Sequence, residues 1–387
     1  MQASRVPQSG PRAYGLGQIC VLLMMPLVAI SLSGCAAPAP AQLTSKNLPD
    51  TLSILAQQHH VCGAMVAVIK NRQLDSFQSA TGCSPALMLN SDSVFQAASL
   101  SKPVFAYAVL RLVAQGKMQL DVPVLNYLPQ GYRHQFNPAQ AQPSELVIDP
   151  RLQAITVRMV LNHTSGLPNW AFGPLRFQSA PGAKWNYSGE GYVLLQRAVE
   201  AVTGQALDQF MTAQVFKPLA MHQSNYVWSK RIAQNLIPGT KANGNPRTTM
   251  HHEHPNAAYT LYTSAADYAR FMVKVLNEGD VLSQITATPV PTEPSLGVHW
   301  GLGWGLGLEG GDSYLWHWGN NTGYRAFAMA SLQTGDGFVM LTNSENGLKL
   351  AQSTSQQILK KQPRLFHFSM LDDDLINVAC NTLRVCL

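Results

Sequence analysis

The chain has 387 residues, of which 46% are hydrophobic and 12% charged, so it can bury a large core and does not have the composition of a disordered protein. Its formal net charge is +6, and the sequence contains no dense run of lysine and arginine. This charge pattern does not favour nucleic-acid binding, and we predict no nucleic-acid partner.

The first residues have the pattern of an export signal. Arg5 and Arg12 precede an apolar run over residues 21–32, and no acidic residue occurs before Cys35. The run is too short for a permanent transmembrane helix but suits the core of a signal peptide. We therefore predict a signal peptide over residues 1–34 and an exported protein.

The end of this segment resembles a bacterial lipobox. Residues 32–35 read Leu-Ser-Gly-Cys, and the resemblance implies cleavage before Cys35 and lipidation of that cysteine. Residues 35–46 are rich in proline and small residues, which is typical of a tether. We expect a membrane-anchored lipoprotein that faces the periplasm, and Ala36 slightly favours the outer membrane. An ordinary secretory signal with an incidental cysteine is the alternative.

A helix and a β-hairpin are predicted to begin the folded part of the chain. Residues 47–60 form the helix. Residues 61–70 and 76–81 form two strands that are rich in strand-forming side chains, with a turn at Asn71 and Arg72 between them.

Residues 99–115 are predicted to form the next helix, because apolar side chains recur at helical spacing and Gly116 follows. Pro103 falls in the first turn, where a missing N–H is tolerated. Residues 117–255 are rich in proline, glutamine, asparagine and glycine, and we interpret them as a mainly helical domain. Its clearest helical segments are residues 159–163 and 192–203.

The C-terminal part begins with a predicted helix over residues 263–277. Ser264 and Asp267 form a start like a capping box, and Gly279 follows the end. Three strands and a closing helix come next, over residues 313–319, 324–333, 337–344 and 348–361. The tail over residues 362–387 carries no functional prediction.

Strands at both ends of the chain with helices between them indicate an α+β fold. The simplest packing is an antiparallel sheet flanked by helices and built from both ends of the chain. Residues 47–116 and 256–361 would form this sheet domain, and the mainly helical domain over 117–255 would be inserted between them.

Four cysteines follow the predicted lipidation site: Cys62, Cys83, Cys380 and Cys386. An exported protein lies in an oxidising compartment, where disulfides persist. Cys62 and Cys83 flank the predicted hairpin, and the other two are close in sequence, so either pair can form a bridge. The sequence alone does not decide these pairings.

Two groups of histidines have structural interpretations. Residues 251–254 read His-His-Glu-His, but they lack a helical i, i+4 histidine pair and lie in a stretch rich in proline and asparagine. We predict a solvated loop there, and neither a metal site nor a cofactor in the protein. No G-x-S-x-G elbow accompanies His163, so we predict a locally hydrogen-bonded loop histidine.

Ser99 and Lys102 form the first motif that points to chemistry. They are three residues apart at a predicted helix start, so their side chains are neighbours. A desolvated lysine has a lowered pKa and can assist removal of the serine proton, which a serine nucleophile requires. Taken alone, the motif fits a helix start with a solvated lysine equally well.

Two further motifs follow in order. Tyr187 begins a Tyr-Ser-Gly sequence in a predicted loop, and a tyrosine near a cationic lysine can act as a general base with a lowered pKa. His317 begins a His-Trp-Gly sequence at the end of a predicted strand, where Gly319 would let a substrate backbone approach. Taken alone, the Tyr187 motif could be a packed loop tyrosine. The His317 motif could be an aromatic strand on a core face.

The three motifs together, in this order, resemble the serine β-lactamase and penicillin-binding protein superfamily in its class C-like branch. This branch includes D-alanyl-D-alanine carboxypeptidases and esterases. Other stretches support the resemblance, which covers about residues 47–361: Leu-Asn-His-Thr-Ser-Gly-Leu over 161–167, Gly-Leu-Gly-Trp-Gly over 301–305 and Gly-Asn-Asn-Thr-Gly-Tyr over 319–324. The resemblance implies a β-lactamase/transpeptidase-like fold.

The resemblance also implies a role for each motif residue. Ser99 would be the acylated nucleophile, Lys102 would assist its deprotonation, and Tyr187 would be the general base that later returns a proton to the leaving group. His317 would contact a substrate carboxylate. The backbone N–H groups of Ser99 and Asn320 would form the oxyanion hole.

The substrate cleft would include Trp318 and Gly319. Aromatic residues near the third motif are expected to form an apolar cleft wall: Trp304, Trp316, Trp318 and Tyr324. Such a wall would suit an ester or a bulky acyl side chain.

Two residues depart from the family pattern. Gly189 stands where the second motif commonly has an asparagine that binds the substrate's acyl amide, and His317 stands where a typical β-lactamase has lysine. Both departures disfavour efficient β-lactam hydrolysis. We therefore predict a hydrolase for amide, ester or lactam carbonyls, with a small molecule or a peptidoglycan peptide as substrate. A catalytically impaired penicillin-binding-like scaffold lipoprotein is the alternative.

Overall fold

The computed structural model describes residues 47–137, 140, 144–361 and 363–371. The predicted signal peptide, the lipidation site Cys35 and the tether lie outside these residues, as do Cys380 and Cys386. In the described part of the chain, no helix is both long enough and apolar enough to cross a membrane.

The strands of the described residues are β1 Ala64–Lys70, β2 Gln73–Ala80, β3 Val94–Ala98, β4 Arg133–Gln135, β5 Ser144–Leu146, β6 Leu261–Ser264, β7 Val290–Glu293, β8 Val298–Trp300, β9 Gly305–Glu309, β10 Asp312–Asn321, β11 Tyr324–Ser331 and β12 Gly337–Thr342. The α-helices are α1 Leu48–Gln58, α2 Ser101–Ala114, α3 Val157–Leu161, α4 Gly189–Thr203, α5 Leu207–Met211, α6 Lys230–Asn235, α7 Ala265–Asn277, α8 Gly279–Thr286 and α9 Ala351–Leu359.

The main sheet has eight strands in the order β2-β1-β12-β11-β10-β9-β8-β7, with antiparallel pairings throughout. The N-terminal strand β1 pairs directly with the C-terminal strand β12, with Ala64 opposite Thr342. The predicted α+β fold, with an antiparallel sheet built from both ends of the chain, is therefore confirmed.

Helices cover both faces of this sheet, because the side chains of its strands alternate between two cores. In β1, Met65, Ala67 and Ile69 pack in a cluster that includes residues of α2 and α7, while Ala64 and Val66 pack in a second cluster with residues of α1 and α9. The central strands β11 and β12 are therefore buried on both sides, whereas the edge strand β2 is largely exposed.

The region over residues 117–255 contains α3 to α6 and the short pair β4–β5, so it is irregular as well as helical. Leu194, Leu195 and Ala198 of α4 pack in the same cluster as Val104 and Ala108 of α2. The inserted region thus shares its core with the helix that follows Ser99. The domain boundaries that we drew from the sequence stay predictions.

The sequence did not predict the pair β3–β6, nor β7, β8 and β9. Every residue of β3 is buried, so the strand lacks the alternation of polar and apolar residues that marks a half-exposed strand. Residues 261–264 form β6, and α7 consequently begins at Ala265 rather than at residue 263.

A disulfide joins Cys62 and Cys83, whose Cα atoms are 4.6 Å apart. Cys62 precedes β1 and Cys83 follows β2, so the bridge closes the open end of the first hairpin. One of the two pairings left open by the sequence is therefore present.

Candidate active site

Ser99 lies in the short connection between β3 and α2. The β3–β6 pairing shifts register between Gln96 and Ala98, and Ala98 has a φ of 50°, which is unfavourable for a residue with a Cβ. Strain of this kind costs about 1–3 kcal/mol and is concentrated at functional sites. The resulting turn leaves Ser99 partly exposed, whereas Ala98 and Leu100 are buried.

Hydrogen bonds to Ser101 fix this connection. The Ser101 hydroxyl donates to the Ala98 carbonyl at 2.6 Å and accepts from the Leu261 N–H at 3.0 Å. The Tyr226 hydroxyl donates to the Ser101 carbonyl at 2.6 Å. The start of α2, and with it Ser99, is therefore held in one position.

Lys102 is fully buried beside Ser99. Its Nζ donates to Ser99 Oγ at 3.1 Å and to the Ala258 carbonyl at 2.9 Å, and lies 4.7 Å from the centroid of the Tyr187 ring. Burial lowers the pKa of Lys102 well below its usual value, and no carboxylate in the described part of the chain opposes this shift. The amine is therefore stabilised in its neutral form, which can accept a proton.

Tyr187 is packed among aromatic rings, with ring centroids 4.4 Å from His163 and 5.1 Å from Trp318. Burial raises the pKa of Tyr187, and a hydrogen-bond interaction with Ser99 lowers it by less. The hydroxyl is buried, and no described residue meets the geometry of a full hydrogen bond to it. This direction is opposite to the lowering that we expected from a cationic lysine, because burial penalises the charged phenolate.

The loop that carries Tyr187 is fixed by Ser188 and His163. The Ser188 hydroxyl accepts from the Gly191 N–H at 2.9 Å, which caps α4, and donates to the Pro168 carbonyl at 2.9 Å. The Ser188 N–H donates to His163 Nδ1 at 3.1 Å. Burial lowers the pKa of His163 well below its usual value, in agreement with a neutral acceptor ring. His163 thus has a structural hydrogen bond, as predicted, but its partner lies 25 residues away in the loop that carries Tyr187 rather than nearby in sequence.

The third motif lies on β10, beyond the end of its neighbour β9. The pairing of β10 with β9 stops at Trp316. From His317 onward, β10 therefore extends past the end of β9. Gly319 packs against the chain at Ala97, and a Cβ on Gly319 would collide with the Ala97 carbonyl oxygen. Gly319 therefore makes room for the protein's own backbone at Ala97, two residues before Ser99 in the chain. Its place in a substrate cleft stays a prediction.

His317 is fully buried, and its Nδ1 lies 2.8 Å from the Trp318 carbonyl oxygen. Burial, with a contribution from Lys102, lowers the pKa of His317 to about 3. The ring is therefore neutral at pH 7, which makes it a poor partner for the substrate carboxylate that we expected it to contact.

The low pKa of His317 predicts a loss of stability in acid. Below about pH 6.5 the unfolded chain protonates this histidine and the folded chain does not, so stability falls as pH falls toward 3, by about 1.4 kcal/mol per pH unit. Urea unfolding at pH 7, 5.5 and 4.5 measures the effect. The variant His317→Gln should lose less stability over the same range, and equal losses would contradict the prediction.

The predicted aromatic cleft wall is wrong for the residues that we named. Trp304, Trp316 and Tyr324 are fully buried, and Trp318 is only 4% exposed. Trp316 and Trp318 lie on the same face of β10 and join the core on the α1/α9 side of the sheet. They pack the core because every second residue of a strand faces the same way.

Sequence reasoning missed the residues that surround the three motifs. The Ala258 carbonyl accepts from Lys102, and the carbonyl of the next residue, Tyr259, accepts from Asn321 Nδ2 at 3.3 Å. Trp170 contacts the ring of Tyr259 and the backbone of Gly189. No spacing in the sequence connects these loops with Ser99.

Two further sequence predictions concern histidines and metals. Residues 251–254 form a loop, as predicted, but His252 is buried and lies 3.3 Å from the Gln96 side chain. Among the residues that the structure describes, no group of three or more histidine, cysteine, aspartate or glutamate side chains is arranged to hold a metal ion.

A family model described as Beta-lactamase matches residues 48–362 of the chain. Esterase EstB from Burkholderia gladioli is 29% identical over 236 residues, which are 52% of this chain and 56% of the esterase. Penicillin-binding protein 4 from Amycolatopsis lactamdurans is 27% identical over 290 residues, 65% of this chain and 73% of that protein. The match to the esterase thus spans just over half of its length.

Solved structures share the fold at lower identity. The D-alanine carboxypeptidase AmpC from Burkholderia cenocepacia superposes with a TM-score of 0.66 and 16% identity, covering 80% of this chain and 98% of that one. At this identity the likeness shows the fold alone.

Proposed function

Because the chain belongs to the Beta-lactamase family, whose members include hydrolases of this fold, we propose that it is a serine hydrolase that forms an acyl-enzyme on Ser99. The main support is the 3.1 Å contact between Lys102 Nζ and Ser99 Oγ, in a site where burial favours the neutral amine. A neutral amine at hydrogen-bond distance is a suitable base for a serine nucleophile.

Acylation begins when Ser99 Oγ attacks the substrate carbonyl carbon and its proton passes to Lys102 Nζ. The carbonyl oxygen becomes an oxyanion, which the N–H groups of Ser99 and Asn320 stabilise. Each such donor is typically worth about 2.7–4 kcal/mol. The positive charge formed on Lys102 lies near the face of the Tyr187 ring, whose quadrupole attracts a cation.

Tyr187 then serves as a proton relay. Its raised pKa keeps it as a phenol, so it donates its proton to the leaving oxygen or nitrogen as the bond to the carbonyl carbon breaks, and it recovers a proton from Lys102. In deacylation, water attacks the carbonyl carbon of the acyl-enzyme. Lys102 and Tyr187 then transfer protons in the reverse direction, and Ser99 Oγ is reprotonated as it leaves. This assignment makes Lys102 the base and Tyr187 the donor, whereas the sequence resemblance gave Tyr187 the role of base.

Three carbonyl classes are candidates: esters, D-alanyl peptide amides and β-lactams. They follow from the esterase and the penicillin-binding protein among the relatives. Gly189 removes the side-chain amide that would bind an acyl amide, and buried neutral His317 is a poor carboxylate partner. These two features favour neutral esters.

Intact-mass analysis tests the proposal. The protein is incubated with p-nitrophenyl butyrate and, separately, with benzylpenicillin, and is sampled from seconds to hours. We expect a single acyl adduct that grows and decays with the ester and maps to Ser99 after digestion. Folded protein that forms no adduct with either reagent would refute the proposal and favour the impaired scaffold lipoprotein.

We also propose that the enzyme is exported and anchored to a membrane facing the periplasm through a lipid on Cys35. The lipobox-like sequence over residues 32–35 supports this proposal. Expressed in a Gram-negative host with labelled palmitate, the full chain should incorporate label and sediment with membranes, and Cys35→Ser should lose both properties. Equal labelling of the two proteins would overturn it.

A further inference from the structure

The loop that follows α3 places the Trp170 indole over Gly189. A Cβ on Gly189 would lie 2.7 Å from Trp170 Cη2, and 2.7 Å from the Asn169 carbonyl oxygen. The Gly189 N–H donates to the Asn169 side-chain oxygen at 3.1 Å, which holds the loop against the start of α4. The space that an amide-binding side chain at 189 would use is thus filled by an aromatic ring.

Trp170 also reaches the opposite side of the site. Its ring meets the Tyr259 ring edge to face, with centroids 5.3 Å apart and planes at 81°. Tyr259 follows Ala258, the residue whose carbonyl accepts from Lys102, and its own carbonyl accepts from Asn321. The two rings therefore connect the Tyr187 side of the site with the loop beside Lys102 and the end of β10.

A buried contact between Glu190 and His134 holds the Trp170 loop in place. Glu190 Oε1 accepts from the Ala171 N–H at 3.0 Å, and its Oε2 lies 3.3 Å from His134 Nδ1. His134 Nε2 lies 2.9 Å from the Gly173 carbonyl oxygen. Burial lowers the pKa of His134, but hydrogen bonding to Glu190 and the neighbouring backbone raises it overall. These contacts fix the loop after Trp170, and the bond between Asn169 and Gly189 fixes it before Trp170.

From the packing of Trp170 on Gly189 and Tyr259, we propose that Trp170 is a specificity-determining residue that forms an apolar wall for the acyl group. This inference deepens the proposed function and rests on it. An acyl amide placed against this wall would lose its bonds to water without gaining a partner, whereas an alkyl or aryl group would gain contact. The substrate class is therefore an ester whose acyl group is apolar and carries no amide nitrogen on its α-carbon.

The proposed wall is tested with two p-nitrophenyl esters of similar size, the butyrate and the N-acetylglycinate. The measured quantity is the ratio of their kcat/KM values, each divided by the rate of spontaneous hydrolysis. We expect the wild type to prefer butyrate at least tenfold, and Trp170→Ala to lower that preference by about tenfold, as for the loss of a well-packed apolar contact. Trp170→Phe should keep the preference within about threefold.

Phe172→Ala is the matched control, because Phe172 lies in the same loop, two residues from Trp170, and is 57% exposed. It should leave the preference unchanged. If Trp170→Ala does not fold, Trp170→Gln serves instead, since it places an amide near Gly189 and should raise kcat/KM for the N-acetylglycinate ester specifically.

Labelling of Ser99 with an unchanged preference in Trp170→Ala would overturn the inference and leave the proposed function standing. A wild-type preference for N-acetylglycinate that Asn169→Ala abolishes would also overturn it, because Asn169 would then bind the acyl amide. Absence of any adduct on folded wild-type protein would refute the proposed function, and the specificity inference with it.

Discussion

Ser99→Ala should abolish covalent labelling by a fluorophosphonate probe and lower kcat/KM for p-nitrophenyl butyrate by about 10⁶-fold. Ser99 Oγ is the proposed nucleophile, so acylation cannot occur without it. Removal of a serine nucleophile typically lowers the rate by about 10⁶-fold. Because Ser99 is partly exposed and its Oγ accepts a hydrogen bond from the Lys102 side chain, which keeps a second bond to the Ala258 carbonyl, the fold should survive the change. Stopped-assay kinetics and gel-based labelling measure the two effects.

Ser101→Ala is the control for this prediction. Ser101 is the other serine of the motif, but it is fully buried and its hydroxyl bonds the backbone at Ala98 and Leu261. We expect Ser101→Ala to retain labelling at Ser99 and to lose about 1–3 kcal/mol of unfolding free energy, because the Leu261 N–H loses its partner. Labelling that survives in Ser99→Ala and disappears in Ser101→Ala would show that the nucleophile is misassigned.

Lys102→Met should separate activity from stability. The amine is the proposed base, so kcat/KM should fall by about 10⁴-fold or more. The same amine is desolvated without a carboxylate partner in the described part of the chain, so an apolar side chain of similar length should keep or raise stability, by about 1 kcal/mol. Ester hydrolysis and thermal unfolding, measured on the same preparation, check both halves of the prediction.

Tyr187→Phe provides the comparison for Lys102. It removes only the buried hydroxyl and keeps the ring contacts with His163 and Trp318, so kcat/KM should fall by about 10²–10⁴-fold, less than for Lys102→Met. A larger loss in Tyr187→Phe than in Lys102→Met would reverse the two roles. The Tyr187 phenolate would then be the base, as the sequence resemblance implied.

The sequence determined the local structure of this protein and the identity of its chemical motifs. Side-chain periodicity, turn residues and capping residues predicted the first hairpin, the helices α2 and α7, and the strands β10, β11 and β12. In α7, for example, the Ser264 hydroxyl accepts from the Asp267 N–H at 3.2 Å, as the capping pattern predicted. Such features depend on neighbours within a few residues, which a sequence displays directly.

The tertiary structure decided the surroundings of the motif residues. Burial shifts the pKa of Lys102 and of Tyr187, and only packing reveals that both are enclosed. Our proposal therefore makes Lys102 the base, whereas the resemblance implied Tyr187. Packing also placed Trp316 in the core and Trp170 against Gly189, although no spacing in the sequence links residue 170 with residue 189. Charge states and wall residues depend on contacts between distant parts of the chain, and these contacts exist only after folding.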